Sequence, residues 1–200
     1  MATQAAFGFK LHTGWAVLVA ISGSPGDVQL HFRRRIELLP ADGAIPRFVY
    51  HAASEQPMEK ARALVARAKK TTARIAKLAV QEALTELDPR GVTVHVCGIL
   101  SGSTSVPDDL SAIVGSHPLI HAAEGVLFQH AVASACEDHG LTVVEAPERV
   151  IWARAAVAWR VEEPELRTHI NGMRKSLGPP WSADHKAATA MALLALKSRK

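Results

Sequence analysis

Residues 117–155 carry two helical patterns and one strand pattern, and this stretch most constrains the fold. Pro118 suits the first turn of a helix, where the N–H that proline lacks would have no intrahelical partner. Apolar residues then recur at helical spacing as far as Ala131, and Gly140 fits the left-handed position after a helix end. The apolar run that follows predicts a strand, and a second helix is predicted after Pro147. Helix, strand and helix in succession are typical of a layered α/β domain.

The other elements are predicted from hydrophobic periodicity and from turn residues. Together they give the order β-β-β-α-β-α-β-α-α-α. The predicted segments outside the stretch are a hairpin over 7–22 with its turn at 12–14, a strand at 28–39, an irregular segment at 40–57, a helix at 58–87, an apolar strand at 92–100, a loop with a short helical turn at 101–116, a helix at 162–177 and a last helix at 183–196 that is capped by Ser182.

The third strand has a charged residue on its apolar face. Leu30, Phe32 and Ile36 are predicted on one face, and charged or polar residues alternate with them. Arg34 interrupts the apolar face. We therefore expect Arg34 near an edge of the sheet or in contact with an anion.

Composition places the chain among soluble globular proteins. It has 200 residues, of which 48% are hydrophobic and 21% charged, so a single domain over 1–200 with a basic tail at 197–200 is predicted. The net charge of +4 permits an anionic partner without requiring one.

The cysteines and the N-terminus bear on the compartment. Cys97 and Cys136 form no CxxC pattern and fall in predicted core elements, so buried reduced thiols and a cytoplasmic location are expected. The N-terminus lacks the pattern of a signal peptide. The longest apolar run, 15–21, is too short to cross a bilayer, so no membrane association is expected.

Four short motifs stand out along the chain: TGWAVL at 13–18, Ala123-Glu124-Gly125, VVEAPERVIWA at 143–153 and the alanine-rich ADHKAATAMAL at 183–193. Together they resemble motifs of the ribonuclease H-like superfamily, in particular of the RuvC-type Holliday junction resolvases, which have an Ala-Arg-Gly pattern in place of the second motif. The resemblance implies an α/β fold in which a three-stranded antiparallel meander and parallel strands form one mixed five-stranded sheet flanked by helices. It also implies nucleic acid as a partner.

The same resemblance implies a nuclease site that this chain does not retain. In that family, carboxylates on the first strand, at the end of the fourth strand and on the last helix hold two divalent metals about 4 Å apart. Here the first strand offers Lys10 and His12, and the fourth strand ends at Ser101 without an acid. The last helix keeps Asp184 but has Ala187 three residues later. We therefore expect an eroded site, no cofactor, and Mg²⁺ only if catalysis persists.

A second cluster of polar residues lies on the predicted helix after Ser116. His117, His121 and Glu124 are spaced at i, i+4 and i+7 and so share one face. Two histidines four apart can share a metal ion, with Asp184 approaching from the last helix, or Glu124 can orient His121 as a general base. The alternative is a polar helix face with His117 as the helix cap, and no metal site is predicted.

Two hypotheses for function follow. The first is a relative of the resolvases that binds nucleic acid or a partner protein without the two-metal site. The second is an enzyme, a hydrolase or a nuclease, with a rebuilt site of Lys10, His121, Glu124 and Asp184. The same four residues are also explained by a buried network of ion pairs. Convergence of the four side chains in one cleft would favour the enzyme.

The helix at 58–87 supplies the predicted nucleic-acid-binding residues. Residues 60–77 contain seven basic side chains and no acidic one. The basic residues predicted to contact phosphates are Lys60, Arg67, Lys70, Arg74 and Lys77. A solvated helix face is the alternative, because no aromatic residues lie between them to stack on bases.

Two tryptophans are the basis for a predicted homodimer. Trp152 and Trp159 are seven residues apart and therefore share a helix face. Packing within the chain explains the same spacing.

Overall fold

The computed structural model describes residues 2–102 and 105–198. In chain order, its elements are β1 (Thr3–His12), β2 (Trp15–Ser24), β3 (Asp27–Glu37), α1 (Val49–Ser54), α2 (Met58–Leu87), β4 (Val92–Ser101), α3 (Leu110–Val114), α4 (His117–Asp138), β5 (Thr142–Pro147), α5 (Ile151–Trp159), α6 (Glu163–Gly172), α7 (Arg174–Leu177) and α8 (Ala183–Lys197), with 3-10 turns at Asp88–Arg90 and Glu148–Val150. Of the predicted basic tail, Lys197 ends α8, whereas Arg199 and Lys200 lie outside the described residues.

The five strands form one mixed sheet in the order β3-β2-β1-β4-β5. β1, β2 and β3 are an antiparallel meander, and Gly14, with φ of 86°, takes the left-handed position in the turn between β1 and β2. β4 runs parallel to β1, and β5 runs parallel to β4. The predicted fold class is confirmed.

Helices cover both faces of the sheet. α1, α2, α3 and α4 pack on one face, against a core that includes Phe7, Phe9 and Leu18. α5, α6 and α8 pack on the other face, against Val19 and Ile21. Successive side chains of a strand point to opposite faces of the sheet, so both faces carry apolar residues. The helices bury their apolar stripes on these two faces, which produces the three-layer arrangement.

α8 approaches the sheet closely because two glycines face it. A Cβ atom on Gly8 would lie 2.0 Å from the carbonyl oxygen of Ala188, and a Cβ atom on Gly98 would lie 2.6 Å from that of Met191. Both distances are too short for any side chain, so the backbone of α8 lies directly on β1 and β4. This contact fixes where the first turn of α8 meets the end of the sheet.

The edge strand β3 explains the position of Arg34. The prediction for this residue is confirmed, because β3 is the last strand of the sheet order and the Arg34 guanidinium donates to the carboxylate of Glu86 on α2. The prediction that Leu30 shares a face with Phe32 is wrong. A bulge shifts the register where these residues pair with β2, so Phe32 packs towards α2 and Leu30 towards α8.

The segment at 40–57 was predicted to be irregular. This prediction is wrong in part, because the segment contains α1. A helix of six residues is too short to be stable on its own. Its N-terminus is stabilised from outside by Glu124, which is described below.

The two cysteines are buried, as predicted, one on β4 and one on α4. A hydrogen bond with Cys97 and, as a smaller effect, burial raise the pKa of Cys136 well above its ordinary value, so this thiol stays protonated. No helix in the described ranges is long and apolar enough to cross a membrane.

A histidine in the first turn of α8 makes stability sensitive to acid. The Ser182 N–H donates to Nδ1 of His185 over 3.2 Å, so this nitrogen is an acceptor and unprotonated. Burial and, to a lesser extent, the charge of Arg33 lower the pKa of His185, whereas Asp184 raises it. The unfolded chain therefore binds a proton at a higher pH than the folded protein, and stability falls as the pH drops through and below about 6.5.

We expect the free energy of unfolding to decrease between pH 7.5 and pH 5, and to decrease less in the variant His185→Gln. Glutamine at this position can still accept from the Ser182 N–H but does not titrate. Urea unfolding at several pH values checks this prediction. Part of the acid sensitivity should remain, because burial also lowers the pKa of His31. Parallel pH profiles for the two proteins would contradict a role for His185.

Candidate functional site

The carboxyl ends of β1, β4 and β5 meet at one edge of the sheet, because the three strands run parallel. We call this the carboxyl edge. Lys10 and His12 lie at the end of β1, Ser101 ends β4, and Glu148 directly follows β5. Asp184, in the first turn of α8, reaches the same edge through a contact with His12.

Two pairs of side chains occupy the carboxyl edge, one a lysine–carboxylate ion pair and the other a histidine–carboxylate contact. The Lys10 ammonium, whose side chain is 17% exposed, donates to the carboxylate of Glu148. Nε2 of His12 lies 3.0 Å from Oδ2 of Asp184, and the His12 ring stacks on Trp15 at 4.0 Å between ring centroids. Both carboxylates are thus engaged by side chains of β1.

The four residues of the predicted rebuilt site do not converge. Lys10 and His121 line one cavity of about 290 Å³, together with Glu148. Asp184 is instead paired with His12, and Glu124 is 2% exposed and contacts a different helix. The structure brings together two of the four residues.

Glu124 supports the N-terminus of α1. Its Oε2 accepts from the Val49 N–H over 3.0 Å, and its Oε1 accepts from the N–H groups of Tyr50 and His51 over 2.8 and 3.1 Å. A carboxylate is favoured here because the first N–H groups of a helix have no intrahelical partner and carry a partial positive charge. Burial and then the charge of Glu124 raise the pKa of Tyr50.

Glu124 does not orient His121, which was one of the proposed roles. It contacts His51 instead, with Nδ1 of that ring 3.1 Å from Oε1. Glu124 and His121 share a face of α4, as their spacing indicates. However, α1 packs against α4 at this point, and His51 of α1 lies next to the carboxylate.

Three histidines surround this contact. The rings of His51 and His121 have centroids 4.8 Å apart, and those of His117 and His121 are 4.4 Å apart. Nε2 of His117 lies 3.3 Å from Nε2 of His121. One ring nitrogen from each of the three lies within 4.8 Å of the others. We call these residues the histidine cluster. His117 is the first residue of α4, and Ser116 occupies the cap position that was considered for it.

Two residues of these sites were missed in the sequence. Glu148 could have been found, because it directly follows a strand parallel to β4, and the carboxyl ends of parallel strands lie at one edge. His51 gave no comparable pattern, since it lies 66 residues before His117 in a segment without periodicity.

The predicted nucleic-acid-binding residues lie on the solvent face of α2. All five are exposed, and their spacings of seven, three, four and three residues place them on one stripe opposite the buried one. Lys77 forms an ion pair of 2.8 Å with Asp138. Among the described residues, Lys60, Arg67, Lys70 and Arg74 form no ion pair within 4.0 Å. We call the five residues the basic stripe.

The two tryptophans of the predicted dimer face pack within the chain. Nε1 of Trp159 donates to the Leu193 carbonyl over 2.8 Å, and Arg167 lies over the Trp152 ring at 4.4 Å. Both rings pack against the core on the α8 side of the sheet.

Comparison with solved structures identifies the fold. A Thermus thermophilus RuvC structure aligns with 95% of this chain and 92% of its own, with a TM-score of 0.54 and 13% identity. T. thermophilus RuvC in complex with Holliday junction substrate aligns with 96% of this chain and 91% of its own, with a TM-score of 0.52 and 13% identity. No family model matches the chain, and no curated protein does. The fold is ribonuclease H-like, and in it the chain resembles the RuvC-type resolvases.

Proposed function

We propose that this ribonuclease H-like domain binds nucleic acid through the basic stripe of α2 and does so without the two-metal site of the resolvases. The observation that carries the proposal is the stripe itself. Its five exposed cations extend from Lys60 to Lys77 on one helix, which is about 25 Å at 1.5 Å of rise per residue. A duplex presents one phosphate charge per about 1.7 Å of its axis, so a stripe of this length faces several phosphates.

The charges at the carboxyl edge support the absence of the two metals. An ammonium group, Lys10, lies on β1 where a carboxylate would be needed, and a cation there repels a divalent ion. Asp184 is hydrogen-bonded to His12, and the residue three positions later, Ala187, is buried and has no ligand atom. A related fold is known with nucleic acid, since one of the T. thermophilus RuvC structures is a complex with a Holliday junction.

The enzyme hypothesis has narrower support. Lys10 and His121 line one cavity, which is the arrangement that a lysine–histidine acid–base pair needs. However, the Lys10 ammonium is paired with Glu148, and Glu124 and Asp184 are engaged elsewhere. Binding therefore accounts for more of the geometry than catalysis does, and a cleavage assay in the same experiment separates the two.

We expect the protein to bind labelled DNA with an affinity that falls steeply as salt is raised. Fluorescence anisotropy on duplex, single-stranded and four-way-junction DNA at several salt concentrations, with and without Mg²⁺, measures this. In the variant Lys70→Gln/Arg74→Gln the slope of log K against log salt should decrease by about two, because each phosphate contact contributes about one unit. Mg²⁺ should neither strengthen binding nor produce cleaved DNA.

The matched control is Arg174→Gln/Lys175→Gln, which removes the same charge from exposed positions on α7. Its slope should equal that of the unaltered protein. Equal losses in both variants would mean that net charge, and not the stripe, drives binding. The absence of binding at low salt would refute the proposal and leave a protein partner as the alternative. Cleavage that depends on Mg²⁺ would refute the loss of the nuclease site.

A further inference from the structure

We propose that the histidine cluster of His51, His117 and His121 binds one divalent first-row transition metal ion, with Zn²⁺ as the representative case. The site is separate from the carboxyl-edge site that the resolvase resemblance implies, and it uses imidazole in place of carboxylate ligands. The proposal does not depend on nucleic-acid binding.

The separation of the ring nitrogens on α4 suits a shared metal ion. Nε2 of His117 and Nε2 of His121 are 3.3 Å apart, and they belong to residues four apart on α4. Two nitrogens that bind one zinc ion at about 2.0–2.1 Å in tetrahedral geometry are themselves about 3.3 Å apart. The two rings on α4 are therefore already spaced as two ligands of the same ion. The third ring comes from α1 and completes a set whose nitrogens lie within 4.8 Å.

His51 is oriented by a buried carboxylate. Its Nδ1 lies 3.1 Å from Oε1 of Glu124, a carboxylate that is itself held by three backbone N–H groups. An Nδ1–H that donates to this carboxylate leaves Nε2 with the free lone pair. Histidine ligands of metals usually donate their second nitrogen to a carboxylate or carbonyl in this way, which fixes the ring and makes it a stronger ligand. Glu124 is thus a positioning residue for the site.

The charge and the solvent exposure of the cluster also suit a divalent ion. Three neutral imidazoles bring no charge, and the buried carboxylate of Glu124 offsets part of the charge of a divalent ion. His117 and His121 are exposed and His51 is half-buried, so an ion can enter from solvent. Three protein ligands leave a fourth position for water or another ligand. His121 also lines the cavity of about 290 Å³ that Lys10 lines, so this cavity adjoins the cluster.

The type of ligand decides the type of ion. Imidazole favours Zn²⁺, Cu²⁺, Ni²⁺ and Co²⁺, whereas Mg²⁺ and Ca²⁺ prefer oxygen ligands. The cluster should therefore discriminate strongly between Zn²⁺ and Mg²⁺, which is the reverse of what a carboxylate site in this fold would do.

The test is a titration of untagged, chelator-treated protein with Co²⁺, followed by visible absorption, and with Zn²⁺, followed by calorimetry. We expect one bound ion per chain and the visible absorption band of four-coordinate Co²⁺. A titration with Mg²⁺ should give no heat of binding in the calorimeter. His51→Gln and His121→Gln should each weaken Zn²⁺ binding about 100-fold or more, since each removes a ligand. The exposed control His130→Gln, also on α4, should bind like the unaltered protein.

Three results would overturn the proposal. The first is the absence of a Co²⁺ band in the unaltered protein, which would leave the contact between His117 and His121 as a simple hydrogen bond. The second is an unchanged affinity in His121→Gln. The third is an equal loss in His121→Gln and His130→Gln, which would indicate weak binding at scattered surface histidines. Because His121 is exposed, its replacement should leave the fold intact, and circular dichroism checks this.

Discussion

The variant Gly8→Ala is expected to be destabilised by about 3 kcal/mol, near the upper end of the usual cost of overpacking a core. The added Cβ would lie 2.0 Å from the carbonyl oxygen of Ala188 and 2.9 Å from the Cβ of Ala192. The clashing oxygen belongs to the backbone of α8, so no side-chain rotation relieves it. Either α8 must move away from β1 or the strand must bend, and both disturb the core on that face. Urea unfolding followed by circular dichroism measures the loss.

The control is Gly125→Ala, the same chemical change on the exposed side of α4. No atom outside its own helix turn lies within 4 Å of a Cβ at this position. Alanine in a helix interior is favoured over glycine, so this variant should gain about 0.5–1 kcal/mol. If both variants changed stability by similar amounts, the close approach of α8 would not be the reason that position 8 is a glycine.

The variant Glu124→Ala is expected to lose about 2–4 kcal/mol. It removes an acceptor of three backbone N–H groups and leaves the N-terminus of α1 without partners in a buried site, where each unsatisfied group is costly. Hydrogen exchange should localise the effect, with faster exchange of the Val49, Tyr50 and His51 amides than in the unaltered protein. The conservative change Glu124→Gln keeps one acceptor oxygen and should cost less.

Glu82→Ala serves as the comparison, because it removes an exposed carboxylate from α2. Surface changes of this kind usually stay within about 0.5 kcal/mol. Equal losses in the two variants, or unchanged exchange of the α1 amides in Glu124→Ala, would show that α1 does not depend on the buried carboxylate.

The parts of the fold that the sequence predicts are those with local periodicity. α2 begins at Met58 and ends at Leu87, as predicted, because its apolar stripe and its terminal Asp-Pro-Arg-Gly segment are both local features. α1 could not be predicted, since its stabilising contact comes from Glu124, more than 70 residues away. Leu30 was misplaced for a similar reason, because one extra residue in a strand reverses the face of everything before it.

The candidate site shows the same division. Lys10 and His121 were expected in one region, and the topology does bring them to one cavity. The role of Glu124 was not foreseen, because spacing along α4 tells which residues share a face but not which element covers that face. His51 is the clearest case. It belongs to the histidine cluster only because a six-residue helix is held against α4 by the carboxylate that was assigned to catalysis.

The three consecutive arginines of β3 have a consequence for the behaviour of the protein at high concentration. β3 ends the sheet order, and an edge strand of 11 residues presents main-chain groups to which a strand of another molecule can add. Arg33, Arg34 and Arg35 alternate between the two faces, and contacts with Pro179, Glu86 and Glu37 hold their long side chains in place. An incoming strand would have to bury charge on both of its sides. Edge-to-edge aggregation is therefore opposed by the sequence of the strand that would otherwise nucleate it.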